Sequence, residues 1–328
     1  MKITKNLFLL TIVLVTNLSG CTQKGASEQQ SASSNNEETL QGKISLSGAF
    51  ALYPLANIWA SEFNKLHPGV RFNISAGGAG KGMTDALSGA VDLGMFSREI
   101  KEAEKQKGVW WLAVTKDAVL PTINANNAEF QHLKEKGLSQ EVFRKIFISG
   151  EITTWGEATG SNSKEKINVY TRSDAAGAAD TWAQYVGGNG QEALKGIGVF
   201  GDPGLAEALK KDRNGIGFNN VIYAYDLKTG KKYDGIEVIP IDANNNQKID
   251  DDEKIYDNID AITTAIGNGK YPSPPARELY FVSAGKPQSK EIVAFLNWVL
   301  TEGQSFIDEA GYVRLPKEKI ESETLKLK

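Results

Sequence analysis

Cysteine is almost missing from this sequence of 328 residues, which carries Cys21 alone. A disulfide scaffold is thereby excluded, and so is a metal site built on a cysteine cluster. Histidine is nearly as scarce: His67 and His132 stand far apart, which argues against a His-rich metal centre or a Ser–His–Asp enzyme. Positive charge is not in excess, and the formal net charge of −3 speaks against nucleic acid as a partner. No apolar run reaches the about 20 residues that a membrane-spanning helix needs. What is present is 41% hydrophobic residues, too many for a disordered chain. The length suits two domains of roughly 120–150 residues.

The lone cysteine has a context. Lys2 and Lys5 precede the apolar run Leu7–Val15, and Leu18-Ser19-Gly20-Cys21 follows it. A charged start, a short apolar stretch and small residues before a cleavage point read as an export signal. Leu-Ser-Gly-Cys also looks like a bacterial lipobox, which implies cleavage before Cys21 and a lipid on its sulfur; the plainer reading is a secretory signal that contains a cysteine. Residues 21–40, rich in Ser, Gln, Asn and Glu, suit a flexible tether. The expected organisation is a signal at 1–20, the tether at 21–40, and one domain from 41–116 plus 277–320. A second domain covers 117–276 and contains a calcium-loop insertion at 242–253.

From Gly42 onward, short β-like runs alternate with helical patterns, the signature of an α/β fold. Strands are expected at 43–46, 70–74, 92–96, 109–114, 118–123, 167–170, 215–218, 236–241 and 279–282. Helices are expected at 53–67, 82–88, 139–147, 177–186, 254–266 and 290–300. Three loops, Gly48–Leu52, Gly77–Gly82 and Arg172–Ala178, each follow a strand and lead into a helix. Helix N-termini carry unpaired N–H groups and partial positive charge, so small residues there let an anion approach the backbone. Lys81 and Arg172 lie inside two of these loops and Arg98 ends the strand after the second, which predicts a cationic cleft with no partner acid in the loops.

Six blocks carry a resemblance. They are Leu46–Leu55, Ala76–Gly82, Asp92–Glu99, Tyr170–Ala178, Asn214–Phe218, and Arg277–Val282 leading to Glu309–Leu315. In this order they resemble the phosphate-binding proteins of bacterial ABC importers, over nearly the whole chain after the tether. The resemblance implies a type II periplasmic-binding-protein fold, two α/β domains joined by two hinge crossovers that close on an oxyanion. It implies ligand contacts at Ala49, Phe50, Gly80, Lys81, Ser97, Arg98, Arg172, Ala176, Gly177 and Ala178. The family's loops usually carry Ser or Thr, whose hydroxyls donate to phosphate, where this chain has Ala49, Ala51, Ala79, Ala176 and Ala178. Many members also have an Asp where Arg98 stands. Ser97 is the hydroxyl donor that remains, and Asp92 reads as structural.

A second site is written into the twelve residues Asp242–Glu253, which fit the EF-hand calcium loop. Oxygen ligands fall at Asp242, Asn244, Asn246, the Lys248 carbonyl, Asp250 and the bidentate Glu253, with Ile249 at the apolar position. Gln247 stands where glycine normally makes the sharp turn and must adopt a positive φ. One structural calcium ion is expected.

The reading is a lipid-anchored, monomeric substrate-binding protein of the cell envelope that captures an oxyanion, phosphate first, and presents it to an ABC permease. The alternative is a surface sensor that keeps the fold and binds a partner. No nucleophile–base pair is visible, so no enzyme is expected.

Overall fold

A computed structural model describes residues 40–328; the signal, Cys21 and the tether as far as residue 39 lie outside the described residues. The first stretch runs β1 (Gln41–Gly48), α1 (Tyr53–Leu66), β2 (Gly69–Ala76), α2 (Ala79–Leu87), β3 (Leu93–Phe96), α3 (Glu102–Lys105) and β4 (Val109–Asn124). The chain continues through α4 (Phe130–Lys136), α5 (Gln140–Arg144), α6 (Trp155–Thr159), β5 (Asn168–Arg172), α7 (Gly177–Tyr185) and β6 (Ile197–Val199). Then come α8 (Gly201–Lys211), β7 (Gly215–Asn220), α9 (Val221–Ala224), β8 (Ile236–Val238) and α10 (Ile259–Gly267). The return is β9 (Ala276–Ala284), α11 (Lys290–Leu300) and α12 (Lys317–Leu325).

The strands lie in the order β2-β1-β3-β9-β4-β7-β5-β6, with β8 on β4. β1 pairs in parallel with β2 and β3, and β5 with β6 and β7. β4 and β9 run antiparallel through the middle. Alternating strands and helices bury apolar faces in two large clusters and a small third one of Leu205, Leu209 and Ile236. One large cluster holds Ile44, Trp59, Phe63, Phe281 and Phe295 and reaches Leu327; the other holds Phe143, Phe147, Trp155, Trp182 and Phe218. Ile222 and Tyr223 of α9 cross over and pack on the first cluster.

The expected strands at 109–114 and 118–123 are one strand. β4 is buried almost throughout, its polar residues Thr115 and Asp117 included, and its pairing with β9 carries it on between the clusters. Its pairing with β9 slips between Ala113 and Thr115, a bulge at the crossover. The helix expected from Lys254 begins at Ile259. Asn258 caps it by accepting from the Ala261 N–H at 2.9 Å. The preceding Tyr256 is drawn extended into the second cluster, where its hydroxyl accepts from Ile241 N and its carbonyl from Tyr225 Oη. The helix expected over 139–147 is α5 followed by a π-helical turn at Lys145–Ser149. The strand expected over 236–241 stops at Val238.

Candidate functional site

The three strand–helix loops lie at the C-terminal ends of β1, β2 and β5, and they meet. Gly48 holds φ 131, and its carbonyl accepts from the amides of Gly77 at 2.9 Å and Gly78 at 3.0 Å. A side chain on Gly48 would run into the Met95 carbonyl and Gly82, which is why glycine is needed there. The second and third loops join through Gly80, whose amide donates to the Ala175 carbonyl at 2.9 Å. Gly177 lies directly against Ser97. As a result Ala49, Ser97, Arg172, Ala176, Gly177 and Ala178 are all buried, and Phe50 and Gly80 are half-buried.

None of α1, α2 and α7 has a side-chain cap at its N-terminus. In α7 the cap position is Ala176, so the amides of the first turn have neither a helical partner nor a capping oxygen. The alanines that replace the expected hydroxyl residues thus leave main-chain donors as the anion-binding resource of these loops.

Arg172 organises the middle of the site. Its Nε and Nη2 donate to the two carboxylate oxygens of Asp174 at 2.8 and 2.6 Å, and its Nη1 donates to Asp202. Asp202 also accepts from Asn220 Nδ2 at 2.7 Å, and Asp174 from the Gly201 amide at 3.0 Å. The Phe50 ring lies under the guanidinium, 5.3 Å from its centre, and Phe200 meets Phe50 edge-on at 5.8 Å. A guanidinium has five N–H donors, of which these contacts use three. One N–H on Nη1 and one on Nη2 remain, a pair suited to an oxyanion.

A profile of the PBP superfamily domain matches residues 33–302. The chain belongs to the PBP superfamily. It is similar to the phosphate-binding protein PstS of Methanocaldococcus jannaschii, 27% identical over 94% of this chain and 91% of that one. PstS of Bacillus subtilis is 24% identical over 96% and 95% of the two chains. Among solved structures, a putative phosphate ABC transporter substrate-binding protein with bound phosphate from Clostridium perfringens superposes with TM-score 0.69. It covers 84% of this chain and 100% of its own at 22% identity, which shows the type II periplasmic-binding-protein fold.

Within this superfamily frame, the cationic cleft expected from Lys81, Arg98 and Arg172 is corrected: each cation has a carboxylate. Lys81 pairs with Asp85 one turn along α2 and is half-exposed. Arg98 grips Glu104 through two bonds of 2.6 and 3.0 Å and lies 3.4 Å from Asp180 of α7. Leaving a buried guanidinium unpaired is strongly unfavourable, so partners are recruited wherever the fold supplies them. Asp174 was available to sequence reasoning, only two residues after Arg172 in the same loop. Asp202, Asn220 and Tyr223 had no local signal. Arg277 on β9 is also central: its Nε donates to the Ser97 carbonyl at 2.8 Å and its Nη2 to Asn220. Asp92 is structural, accepting from the amide and hydroxyl of Ser45 at 2.7 and 2.6 Å.

The Asp242–Glu253 loop folds as a tight oxygen-lined turn. Gln247 does adopt φ 61, and Asn245 φ 58. Asp242 accepts from the amides of Asn246 and Gln247 at 3.1 and 2.8 Å, and Glu253 from Ala243 and Asp250 at 2.8 and 3.0 Å. Among the described residues, no group of three or more His, Cys, Asp or Glu forms a metal cluster. The six expected ligands are three carboxylates, two carboxamides and one main-chain carbonyl, a donor set that suits a hard cation.

Proposed function

We propose that this chain is the substrate-binding protein of an ABC importer and holds phosphate between its two apolar clusters. The observation that carries this reading is Arg172, fixed by Asp174 with two N–H donors to spare, beside the uncapped N-terminus of α7. The two relatives described above are phosphate-binding proteins, and the similar structure with bound phosphate supports the same ligand here. The ligand contacts are Arg172, the amides of Phe50, Gly177 and Ala178, and the Ser97 hydroxyl, with Ala49, Gly80 and Ala176 shaping the walls. Arg98 and Lys81 serve structure instead.

The two clusters act as domains that open and shut about β4 and β9, and the ligand bridges them. Nothing in this requires bond making. Cys21 carries a lipid that keeps the monomeric protein at the extracytoplasmic face, where it delivers its cargo to a membrane permease. No described helix is long and apolar enough to cross a membrane.

We propose in addition that Asp242–Glu253 holds one calcium ion. Asp242 and Glu253 are 3% and 8% exposed and have no ion-pair partner among the described residues, which favours a cation between them.

Calorimetry on unfolded, dialysed and refolded protein tests the main reading. Saturable heat with inorganic phosphate supports it; no heat with phosphate, sulfate, molybdate or small carboxylates overturns it.

A further inference from the structure

Behind Ser97 and Asn220 lies a group that the binding reading does not use. Asp117 of β4 faces Arg277 of β9 in the register that joins the two crossover strands. Its carboxylate is 3.8 Å from Arg277 Nη2, and both of its oxygens, together with Arg277 Nη1, are buried without a hydrogen-bond partner. The amides of Ala118 and Val221 lie beside it and partly offset the burial, but neither closes a hydrogen bond of normal geometry. From Asp117 the contacts run in one chain: Arg277 to Asn220, Asn220 to Asp202, and Asp202 to Arg172. The buried ionisable groups facing this chain are Asp117 on β4, Arg172 on β5, Asp174 beyond it, Asp202 on α8 and Arg277 on β9. The Tyr223 and Tyr312 hydroxyls are held on main-chain carbonyls, those of Phe50 and Ala51.

The ionised set contains three carboxylates and two guanidinium groups, so it is one negative charge over before any anion arrives. An oxyanion on the uncommitted N–H groups of Arg172 adds more. In a medium this dry, like charges along such a chain interact strongly, and the cluster lowers its energy by protonating the carboxylate with the poorest solvation. That carboxylate is Asp117, since Asp174 and Asp202 are each bonded directly to Arg172 and Asp117 to nothing.

We infer that Asp117 is a proton site coupled to the anion site: phosphate binding at Arg172 is accompanied by proton uptake at the Asp117 carboxylate on the crossover strand. The inference rests on the phosphate reading above. Burial already raises the Asp117 carboxyl to about 7, with Arg277 opposing and Asp202 reinforcing the rise. A bound anion raises it further, so the linked proton is taken up just above neutrality and affinity falls as pH climbs through that window.

The test is calorimetry with inorganic phosphate at pH 7.5 in buffers of different ionisation enthalpy, on the intact protein and on Asp117→Asn. Phosphate's own titration is common to both and cancels. The wild type should take up about half a proton more than the variant, for a rise of one pH unit in the carboxyl's midpoint. Its affinity should fall up to about tenfold more than the variant's between pH 6 and 9. Equal uptake with intact binding overturns the proton site and leaves the phosphate reading standing; no phosphate heat in the wild type overturns both. Infrared difference spectra of the wild type give a second readout that needs no variant. Phosphate should strengthen the band of a buried protonated carboxyl at pH 7.5, and an unchanged band counts against the inference.

Discussion

Arg172 and Asp174, separated by one residue, form a two-point ion pair at 2.8 and 2.6 Å in which both side chains are almost fully buried. The pair fixes the guanidinium plane and, with Asp202 on Nη1, leaves one N–H on each Nη nitrogen uncommitted. Asp174 is therefore a positioning residue for a main anion contact.

Arg172→Ala should abolish measurable phosphate binding, because two charge-assisted bonds at about 1.5–3 kcal/mol each correspond to a loss of roughly 100-fold or more. Asp174→Asn should weaken binding less and leave its stoichiometry intact. Calorimetry separates the two; full phosphate affinity in Arg172→Ala would remove Arg172 from the ligand contacts.

Gly177→Ala places a methyl group where Ser97 now sits. Overpacking of this kind costs typically about 1–3 kcal/mol, and here it acts on the contact between the two loops. The expected outcome is at least about tenfold weaker phosphate binding. An unaltered circular dichroism spectrum would show that closure is what suffers, and unchanged affinity would show that the two loops need not meet.

Asp180 on α7 receives Arg98 at 3.4 Å and Lys101 at 3.2 Å, both from the segment after β3. Asp180→Asn should speed phosphate release by roughly two- to fivefold and make it less sensitive to salt, in keeping with a partly screened ion pair. Stopped-flow release at two ionic strengths reads this, and identical rates would show that the Asp180 ion pairs do not hold the bound form.

Chelation should lower the melting temperature, since an ion bound at 100 times its dissociation constant stabilises the folded state by about 2.7 kcal/mol, or several degrees in a protein of this size. Glu253→Gln should melt lower in calcium and lose the response to chelator. A wild type whose melting point ignores both chelator and calcium would remove the ion from the loop.

Asp117 also predicts a pH-dependent stability. Its carboxyl is raised from 3.8 to about 7 in the folded state. The folded protein therefore holds the proton more tightly than the unfolded chain, and this contribution is fully present below pH about 4 and lost as pH rises to about 7. Asp117→Asn should thus gain melting temperature over the wild type at pH 7 and little at pH 4. A gain that does not change with pH would mean that the carboxyl is ionised throughout.

Much of this protein was legible in its residues. Strands β1, β2, β5 and β7 and helices α1, α7 and α11 follow from local apolar periodicity, and the three glycine-bearing loops lie where strand patterns give way to helical ones. The α11 bounds match the expectation, because Lys290–Leu300 is a strong amphipathic pattern. The positive φ at Gln247 was also readable, since the twelve-residue spacing demands a sharp turn at that position.

Tertiary structure decided the charge of the site. Sequence showed three basic residues near the loops, but whether each faces an anion depends on carboxylates both near it in the chain and far along it. Asp85 takes Lys81, Glu104 and Asp180 take Arg98, and Asp202, thirty positions from Arg172, bonds its remaining nitrogen. Ionic pairing is a short-range interaction between groups whose separation along the chain sets no limit, so composition and spacing alone do not disclose the pairings of Asp180 and Asp202. The same holds for Cys21 in reverse: the scarcity that opened the sequence is entirely local, and its meaning is read from the residues beside it.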